Sequence, residues 1–332
     1  MNTVAAHSRR RPGWAALVLA LLLGVMLTAA LVSLSNVNYG VVRMIDLVRE
    51  PTLCLALLLA AVSALFGRSW RLALALGFLA VAGIHAARIW PYVGIAPEQV
   101  ALAGATEQDG TCFTALSLNI KQANTQYART ARLIAERRPD VLLLMETHRP
   151  WAEALASQLA AFPHVTRQVQ DNRYGMIFAS RLPVRSARML APTGEDTPTL
   201  YAALTTPGGG TFGFVGLHPR PPLPGQSSAS RDASLERAAR IVPDGTADVL
   251  VMGDFNDVPW SRTTSGFRAA GGYRDPRIGR GTYPTFPASL VPLGWPLDQI
   301  LVKNGMRVAG FEILPDVGAD HRPVFVRACL AR

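Results

Sequence analysis

Between Arg11 and Arg43 the sequence has no charged residue at all. Over the whole chain only 17% of the 332 residues are charged while 49% are hydrophobic, an imbalance that favours a domain joined to membrane spans over one large soluble domain. Residues 14–34 are almost entirely Ala, Leu, Val and Gly. As a helix rising about 1.5 Å per residue they reach about 31 Å, enough to cross a hydrocarbon core. Two further uncharged runs, 51–67 and 72–87, flank the short basic loop Arg68-Ser69-Trp70-Arg71. They lack the polar face that a soluble surface helix needs, which predicts a tight helical hairpin in the membrane. Two other readings stay open. Arg9, Arg10 and Arg11 precede an apolar run that ends in small residues, as in a cleaved signal peptide; and runs of 16 to 17 residues are at the short end of a span, as buried soluble helices also are.

Positive charge sets the expected orientation. Arg9 to Arg11, Arg68 and Arg71 belong on the cytoplasmic side, whereas the 35–50 loop balances Arg43 and Arg49 with Asp46 and Glu50. Three spans that start inside finish outside. In a bacterium this predicts a multi-pass protein of the inner (cell) membrane whose chain beyond about Tyr92 is periplasmic or extracytoplasmic, and one span fewer reverses it. The expected organisation is a membrane anchor with three transmembrane helices over 1–91, a Gly- and Pro-containing linker over 92–110, and a soluble domain over 111–332. From residue 101 onward 25 basic residues face 20 acidic ones, so half of the net charge of +10 lies there and suits an anionic substrate.

No internal repeat of fixed period is visible in the soluble part. Short apolar runs alternate with amphipathic ones, the pattern of an α/β domain. Strands are expected over 113–119, 141–145, 176–180, 211–217, 249–252, 297–302 and 323–328, and helices over 126–138, 151–161 and 230–242, the first two each stopped by a proline. Mobile loops are expected over 220–230 and 279–296, and loops of that length in a compact domain are more often functional than idle.

Polar residues collect where these strands end, which is where α/β proteins build active sites. Asn119 follows the first strand, Glu146 the second and His218 the fourth; Asp254 and Asn256 follow Val251-Met252-Gly253; Asp298 opens a strand and Asp320-His321 precedes the last one. Singly, each is an ordinary capping or turn residue. Together, and with Tyr174-Gly175 before a strand that ends in Ser180-Arg181, and with Gly253-Asp254-Phe255-Asn256 some 65 residues ahead of the Asp-His pair, they resemble the DNase I-like endonuclease/exonuclease/phosphatase family.

That resemblance implies an α/β fold, a four-layer sandwich of two packed β-sheets flanked by helices and preceded here by the transmembrane helices, with the site in the cleft between the sheets' upper edges. It implies a metal-dependent hydrolase of phosphate ester bonds, an endonuclease or a phospholipid or inositol-phosphate phosphoesterase. Glu146 is the expected ligand of a Mg²⁺ ion (Mn²⁺ as the alternative), since hard cations prefer carboxylate oxygen, with Asn119 and Asp320 beside it. Asp254 would align or deprotonate the attacking water and Asn256 hold it. His321 would donate to the phosphate in its cationic form, oriented by Asp298, and His218 would give a second contact. Tyr174 and Trp260 are expected to line the cleft. One departure stands out: family members commonly carry Asp-His where this chain has Asp298-Gln299, which puts any role of that second histidine in doubt.

A nuclease needs an ordered basic track, for which Arg173, Arg181, Arg185, Arg188 and Arg220 are candidates. A lipid enzyme needs apolar residues near the cleft, and the 283–295 loop offers Tyr283, Phe286, Leu290, Val291, Leu293 and Trp295. From another class, a catalytically dead binding module would have lost one of the strand-end residues; all are kept. No protein partner is expected, only the phosphate-ester substrate, nucleic acid or lipid, and the membrane. Of the three cysteines, Cys54 lies in a span as a small apolar residue. The family fold makes the first and last strands antiparallel neighbours, which implies that Cys112 and Cys329 lie together at the end of the sheet away from the site. They are then either bridged, as an oxidising compartment permits, or two separate buried thiols.

Overall fold

The computed structural model describes residues 13–65, 70–104, 110–290 and 293–331; Arg9 to Arg11, Arg68, Ser69 and Val291 lie outside them. The chain opens with four helices: α1 (Trp14–Ser33), α2 (Gly40–Leu47), α3 (Arg49–Ser63) and α4 (Arg71–Ile89), the last running on into a 3₁₀ turn at Trp90–Tyr92. Two helical stretches, Trp14–Ser33 and Arg71–Tyr92, are long and apolar enough to cross a membrane, by length and composition only. Three spans were expected, and the middle one is shorter than its uncharged run. With 15 residues α3 measures about 22 Å, less than the ~30 Å hydrocarbon thickness. Side chains of α1 such as Trp14, Leu21 and Val25 stand exposed, which an apolar helix in water cannot sustain without cost. The 35–50 segment, expected as a loop, contains α2 instead. Its polar residues face the soluble domain: Arg43 bonds Ser228 Oγ and Asn38 Oδ1 and lies 3.5 Å from Asp232.

Eleven strands and five helices follow among the described residues, in the order β1 (Cys112–Asn119), α5 (Tyr127–Arg137), β2 (Val141–Met145), α6 (Arg149–Ala154), α7 (Ala156–Leu159), β3 (His164–Gln168), β4 (Met176–Ser180), β5 (Val184–Leu190), β6 (Thr199–Thr205), β7 (Thr211–Gly216), α8 (Ala229–Arg240), β8 (Val249–Asp254), α9 (Arg262–Gly271), β9 (Asp298–Lys303), β10 (Met306–Ile313) and β11 (Val324–Leu330). They form a six-stranded sheet in the order β10-β11-β1-β2-β4-β3 and a five-stranded sheet in the order β5-β6-β7-β8-β9. Period-two alternation divides the central strands of each sheet between two interiors. Phe113, Ala115, Val141, Leu143 and Met145 meet Phe212, Phe214, Leu250, Met252 and Ile300 between the sheets. The intervening Leu116, Leu118, Leu142 and Leu144 pack outward under α5 to α7, and Val215, Val249, Val251 and Leu301 under α8 and α9. This is the four-layer sandwich. Stacked rings of Phe113 and Phe212, 4.0 Å apart, join the two inner faces. Truncating either to Ala leaves a cavity costing about 3–5 kcal/mol.

All seven expected strands are present, but β3, β5, β6, β10 and α9 were not anticipated. β5 is an edge strand with Arg185 and Arg188 on it and no clean alternation. α9 is rich in Thr, Ser and Gly, weak helix formers; its ends define it, since Ser261 Oγ accepts from Thr264 N–H at 3.0 Å and Gly272 closes it at φ +71°. The helix expected over 151–161 breaks at Leu155 into α6 and α7. The stretch expected as a linker is partly built into the domain. Val100 joins the inter-sheet core and Ala103 N–H donates to Val308 O at the sheet edge.

β1 and β11 are antiparallel neighbours with Cys112 opposite Cys329, and the two cysteines form a disulfide. It closes the sheet at the end remote from Asn119.

Candidate active site

The same alternation that fills the inter-sheet core carries polar side chains to its rim. Continuing Phe113, Ala115 and Ser117 on one face leads to Asn119; Leu250 and Met252 lead to Asp254; Phe212 and Phe214 lead to His218; and Ile300 and Val302 count back to Asp298. β8 and β9 pair with Asp254 opposite Asp298. Asn119, Asp254, Asp298, His218 and His321 are therefore all buried, at 1 to 4% exposure, at one end of the cleft.

Asp254 is the centre. Its Oδ2 accepts from Asn119 Nδ2 at 3.0 Å and lies 3.6 Å from His218 Nε2 and 3.4 Å from His321 Nε2. Its Oδ1 accepts the Asn256 backbone N–H at 2.7 Å. Asn256 stands at φ +50°, a left-handed conformation that Asn tolerates, and its Nδ2 donates to Pro219 O at 3.0 Å. Gly253 before it cannot be replaced: at φ +143° an added Cβ would sit 2.0 Å from Leu217 O, so strands β7 and β8 approach this closely only without a side chain.

Glu146 also has a positive φ, +61°, uncommon for a non-glycine residue and a mark of functional sites. Its Oε1 accepts from Asn119 Nδ2 at 3.1 Å and its Oε2 from Gln122 N–H at 3.0 Å. One amide nitrogen thus sits between the carboxylates of Glu146 and Asp254. Among the described residues no group of three or more His, Cys, Asp or Glu is placed to hold a metal ion. Two carboxylates beside an amide fit a Mg²⁺-like ion that keeps waters and borrows phosphate oxygens better than an all-protein cage. Asp320 turns away from this pair to Lys121 Nζ at 3.2 Å.

His321 Nδ1 lies 2.8 Å from Asp298 Oδ2. Burial of this imidazole opposes its charge, but Asp254, Asp298 with its hydrogen bond, and Asp320 outweigh that and raise its pKa to about 10. Asp298 Oδ1 and His218 Nδ1 are buried with no hydrogen-bond partner. The half-buried Tyr174 ring lies 5.2 Å from the His218 ring and 5.1 Å from the Arg220 guanidinium. Trp260 does not line the cleft. It is buried among Ile89, Tyr92, Val258 and Leu297, and its Nε1 donates to Asp46 O at 2.9 Å, so it fastens the helical segment to the domain.

Phe286, weighed in the sequence as one of the apolar residues of the 283–295 loop, packs on the His321 ring at 4.9 Å. Sequence reasoning missed other contributors. Gln299, the departure from Asp-His, is buried: its Nε2 donates to Asp257 O, Pro296 O and Leu297 O, and its Oε1 accepts from Arg277, itself paired with Asp275. Arg277 also donates to Asp298 O at 3.1 Å, which steadies the start of β9 where the His321 partner sits. A buried arginine in a Gly- and Pro-rich loop carries no sequence signal of its own. Lys121 and Gln122 were findable, since they directly follow the strand-end Asn119.

Solved structures similar in fold include D. rerio TDP2 complexed with single-strand DNA product (17% identity, TM-score 0.53, 66% of this chain and 99% of that one). A Bacteroides vulgatus endonuclease/exonuclease/phosphatase (16%, 0.53, 67% and 100%) and the Bacteroides thetaiotaomicron mannosyl-6-phosphatase Bt3783 (17%, 0.50, 66% and 100%) are similar as well. At such identities the likeness is one of fold. Comparison with curated proteins finds no match. The family model for Endonuclease/Exonuclease/phosphatase matches residues 116–321, a span that contains every side chain converging on Asp254, and the chain therefore belongs to that family of phosphoesterase- and nuclease-like hydrolases.

Proposed function

We propose that the protein is a divalent-metal-dependent phosphoesterase held at a membrane by its N-terminal helices. The observation that carries this reading is the convergence of Asn119, His218 and His321 on one oxygen of Asp254, with Glu146 across the same amide. Glu146 and the facing Asp254 carboxylate would hold Mg²⁺ or Mn²⁺, which would neutralise charge on the phosphoryl oxygens, while Asn119, whose Oδ1 accepts the Lys121 N–H and whose Nδ2 donates to both carboxylates, positions the two rather than ligating. Asp254, fixed through Oδ1 by the Asn256 N–H, offers Oδ2 to orient a water and take its proton. Asn256, with its amide nitrogen on Pro219 O, keeps Oδ1 for that water. His321 is protonated at neutral pH and presents Nε2–H to a phosphoryl or leaving oxygen while Asp298 holds Nδ1–H. His218 adds a second donor and Tyr174 shapes the wall. Asp320, paired with Lys121, acts on the site by charge.

Of the five arginines weighed for a nucleic-acid track, Arg181 is stacked on Phe162 and bonded to Ala161 O, Arg188 is paired with Asp244 and Arg220 with Asp196. This supports a small or amphiphilic phosphoester over a long nucleic-acid track. The Cys112–Cys329 bridge supports an oxidising, extracytoplasmic location for the domain. Helices α3 and α4 are read as a hairpin, with α3 as the third, short span.

The test is hydrolysis of a phosphodiester panel by the full chain with Mg²⁺, with excess chelator, and as Glu146→Gln. Activity should fall by about 10² or more in both latter cases with the fold intact. Full turnover in excess chelator refutes the metal assignment.

A further inference from the structure

A second cavity lies against the catalytic cluster, and neither the core nor the chemistry above uses it. It measures about 420 Å³ and is lined by Val41, Met44, Ile45, Leu47, Val48, Phe286, Trp295 and Leu297, all apolar. That volume is within the usual range of small-molecule sites, ~300–1,000 Å³. One side is the apolar face of α2. The other is formed by Phe286, Trp295 and Leu297. Phe286 is the shared wall: one side of its ring borders the cavity and it packs on His321 at 4.9 Å.

The cavity is built rather than left over. The α2 helix is held over it by its polar face, through Arg43 to Ser228 and Asp232, and its start is pressed so close to the segment before α8 that a Cβ on Gly40 would lie 1.8 Å from Leu223 O. Trp295 closes the far end, with Nε1 donating to Leu47 O, and Trp260 Nε1 bonds Asp46 O. These indole contacts tie the last turn of α2 to the domain, so its apolar side stays open. Of the lining residues Val41 and Val48 are exposed, which leaves the cavity open on the α2 side. Because α2 connects α1 to α3, the mouth lies where the membrane helices leave the domain.

We propose that the substrate is an amphiphilic phosphoester, and that a hydrocarbon chain of that substrate occupies this cavity while its phosphate reaches His321 and Asp254 past Phe286. The inference rests on the phosphoesterase reading. A chain fits because every lining side chain is apolar and the wall nearest the chemistry is a single aromatic ring, so a polar group on the near end of the chain falls at the His321 edge. Either a glycerophospholipid or a polyprenyl phosphate supplies this chemistry.

Two experiments on the full chain in phosphatidylcholine nanodiscs separate this proposal from the reading beneath it. In the first, in chelator and without turnover, hexadecyl phosphate with a photoreactive diazirine in its chain should label Phe286, Trp295 or Leu297. Labelling should fall about tenfold in Ile45→Trp and in Val48→Trp, the second placed at the half-exposed mouth where a larger side chain does not disturb packing. Competition by dioleoyl phosphatidate or by undecaprenyl phosphate identifies the source of the chain. In the second, with Mg²⁺, kcat/KM for methyl, octyl and hexadecyl p-nitrophenyl phosphates should rise at least about tenfold along the series, each buried methylene being worth up to about fourfold. The rise should flatten in both variants. Equal rates along the series with no label on the three residues overturn the proposal even when hydrolysis is fast. Labelling of the cavity with no hydrolysis of any ester overturns the phosphoesterase reading instead.

Discussion

Replacing Asp298 by Asn tests the charge balance on which the site depends. The substitution keeps shape and removes one negative charge from a carboxylate 2.8 Å from His321 Nδ1, while Asp254 remains 3.4 Å from Nε2. At an effective dielectric near 20, opposite charges about 4 Å apart attract by about 4 kcal/mol, and a carboxylate neighbour typically moves a pKa by about 1–3 units. His321 should therefore fall from about 10 by about 1–3 units and stay above its ordinary 6.5. The chain has six histidines, so ¹⁵N-histidine spectra of the metal-free protein, assigned with His321→Gln, can follow this one ring.

Stability should report the same group. Its folded pKa lies above the unfolded value of 6.5, so its contribution is complete below pH 6.5 and is lost as pH rises through about 10. At about 1.4 kcal/mol per unit the loss is on the order of a few kcal/mol. Metal-free wild type should lose melting temperature between pH 7 and 10 more steeply than His321→Gln. A wild-type ring that titrates near 6.5, or one that Asp298→Asn leaves unmoved, refutes the reasoning.

The activity losses of His321→Ala and Asp298→Asn should be strongly non-additive, because both disable one charged donor; multiplicative losses in the double mutant would break the pair apart. Removing the bridge that closes a 217-residue separation, as Cys112→Ser with Cys329→Ser, should destabilise by up to about 5 kcal/mol from chain entropy, and both cysteines should resist alkylation until reduced. Arg277→Met should cost about 3–5 kcal/mol by leaving Asp275 buried without its cation, read by denaturant unfolding; a loss under 1 kcal/mol would show the cluster to be dispensable. An export-dependent reporter should be active when fused after Ala101 and inactive after Arg68, and the reverse pattern would mean an even number of spans.

Much of the site was legible because its residues stand at strand ends, where period-two patterning stops and polar residues begin. The family resemblance implied that Asn119, Asp254, His218 and Asp298 meet in one cleft, and in the structure they share the parity of the inter-sheet core. The family resemblance implied that the first and last strands are neighbours and so brought Cys112 near Cys329, but left the bridge open; the register that sets them opposite each other, and the disulfide, are seen only in the structure. What stayed hidden depends on contacts between segments far apart in sequence. β5 is half-exposed at a sheet edge and shows little alternation, while α9 is defined by a serine cap and a glycine stop rather than by helix propensity. Asp320 was expected to assist at the metal, and its carboxylate instead pairs with Lys121 Nζ, a contact between segments about 200 residues apart.

Trp260 shows most clearly where sequence reasoning ended. Four residues beyond Asn256, an aromatic ring reads as cleft lining, and nothing local says otherwise. The indole instead donates to the last turn of α2, 214 residues earlier in the chain. The hydrogen-bond partner lies in the 1–91 segment, outside the 111–332 domain to which Trp260 itself belongs. The helical segment and the catalytic domain share one seam, with Trp260 and Trp295 bonding consecutive carbonyls of Asp46 and Leu47. From that seam the wall of the chemistry, Phe286, is one ring away. The amphipathic α2 therefore gives its polar side to the domain and its apolar side to the cavity beside that ring.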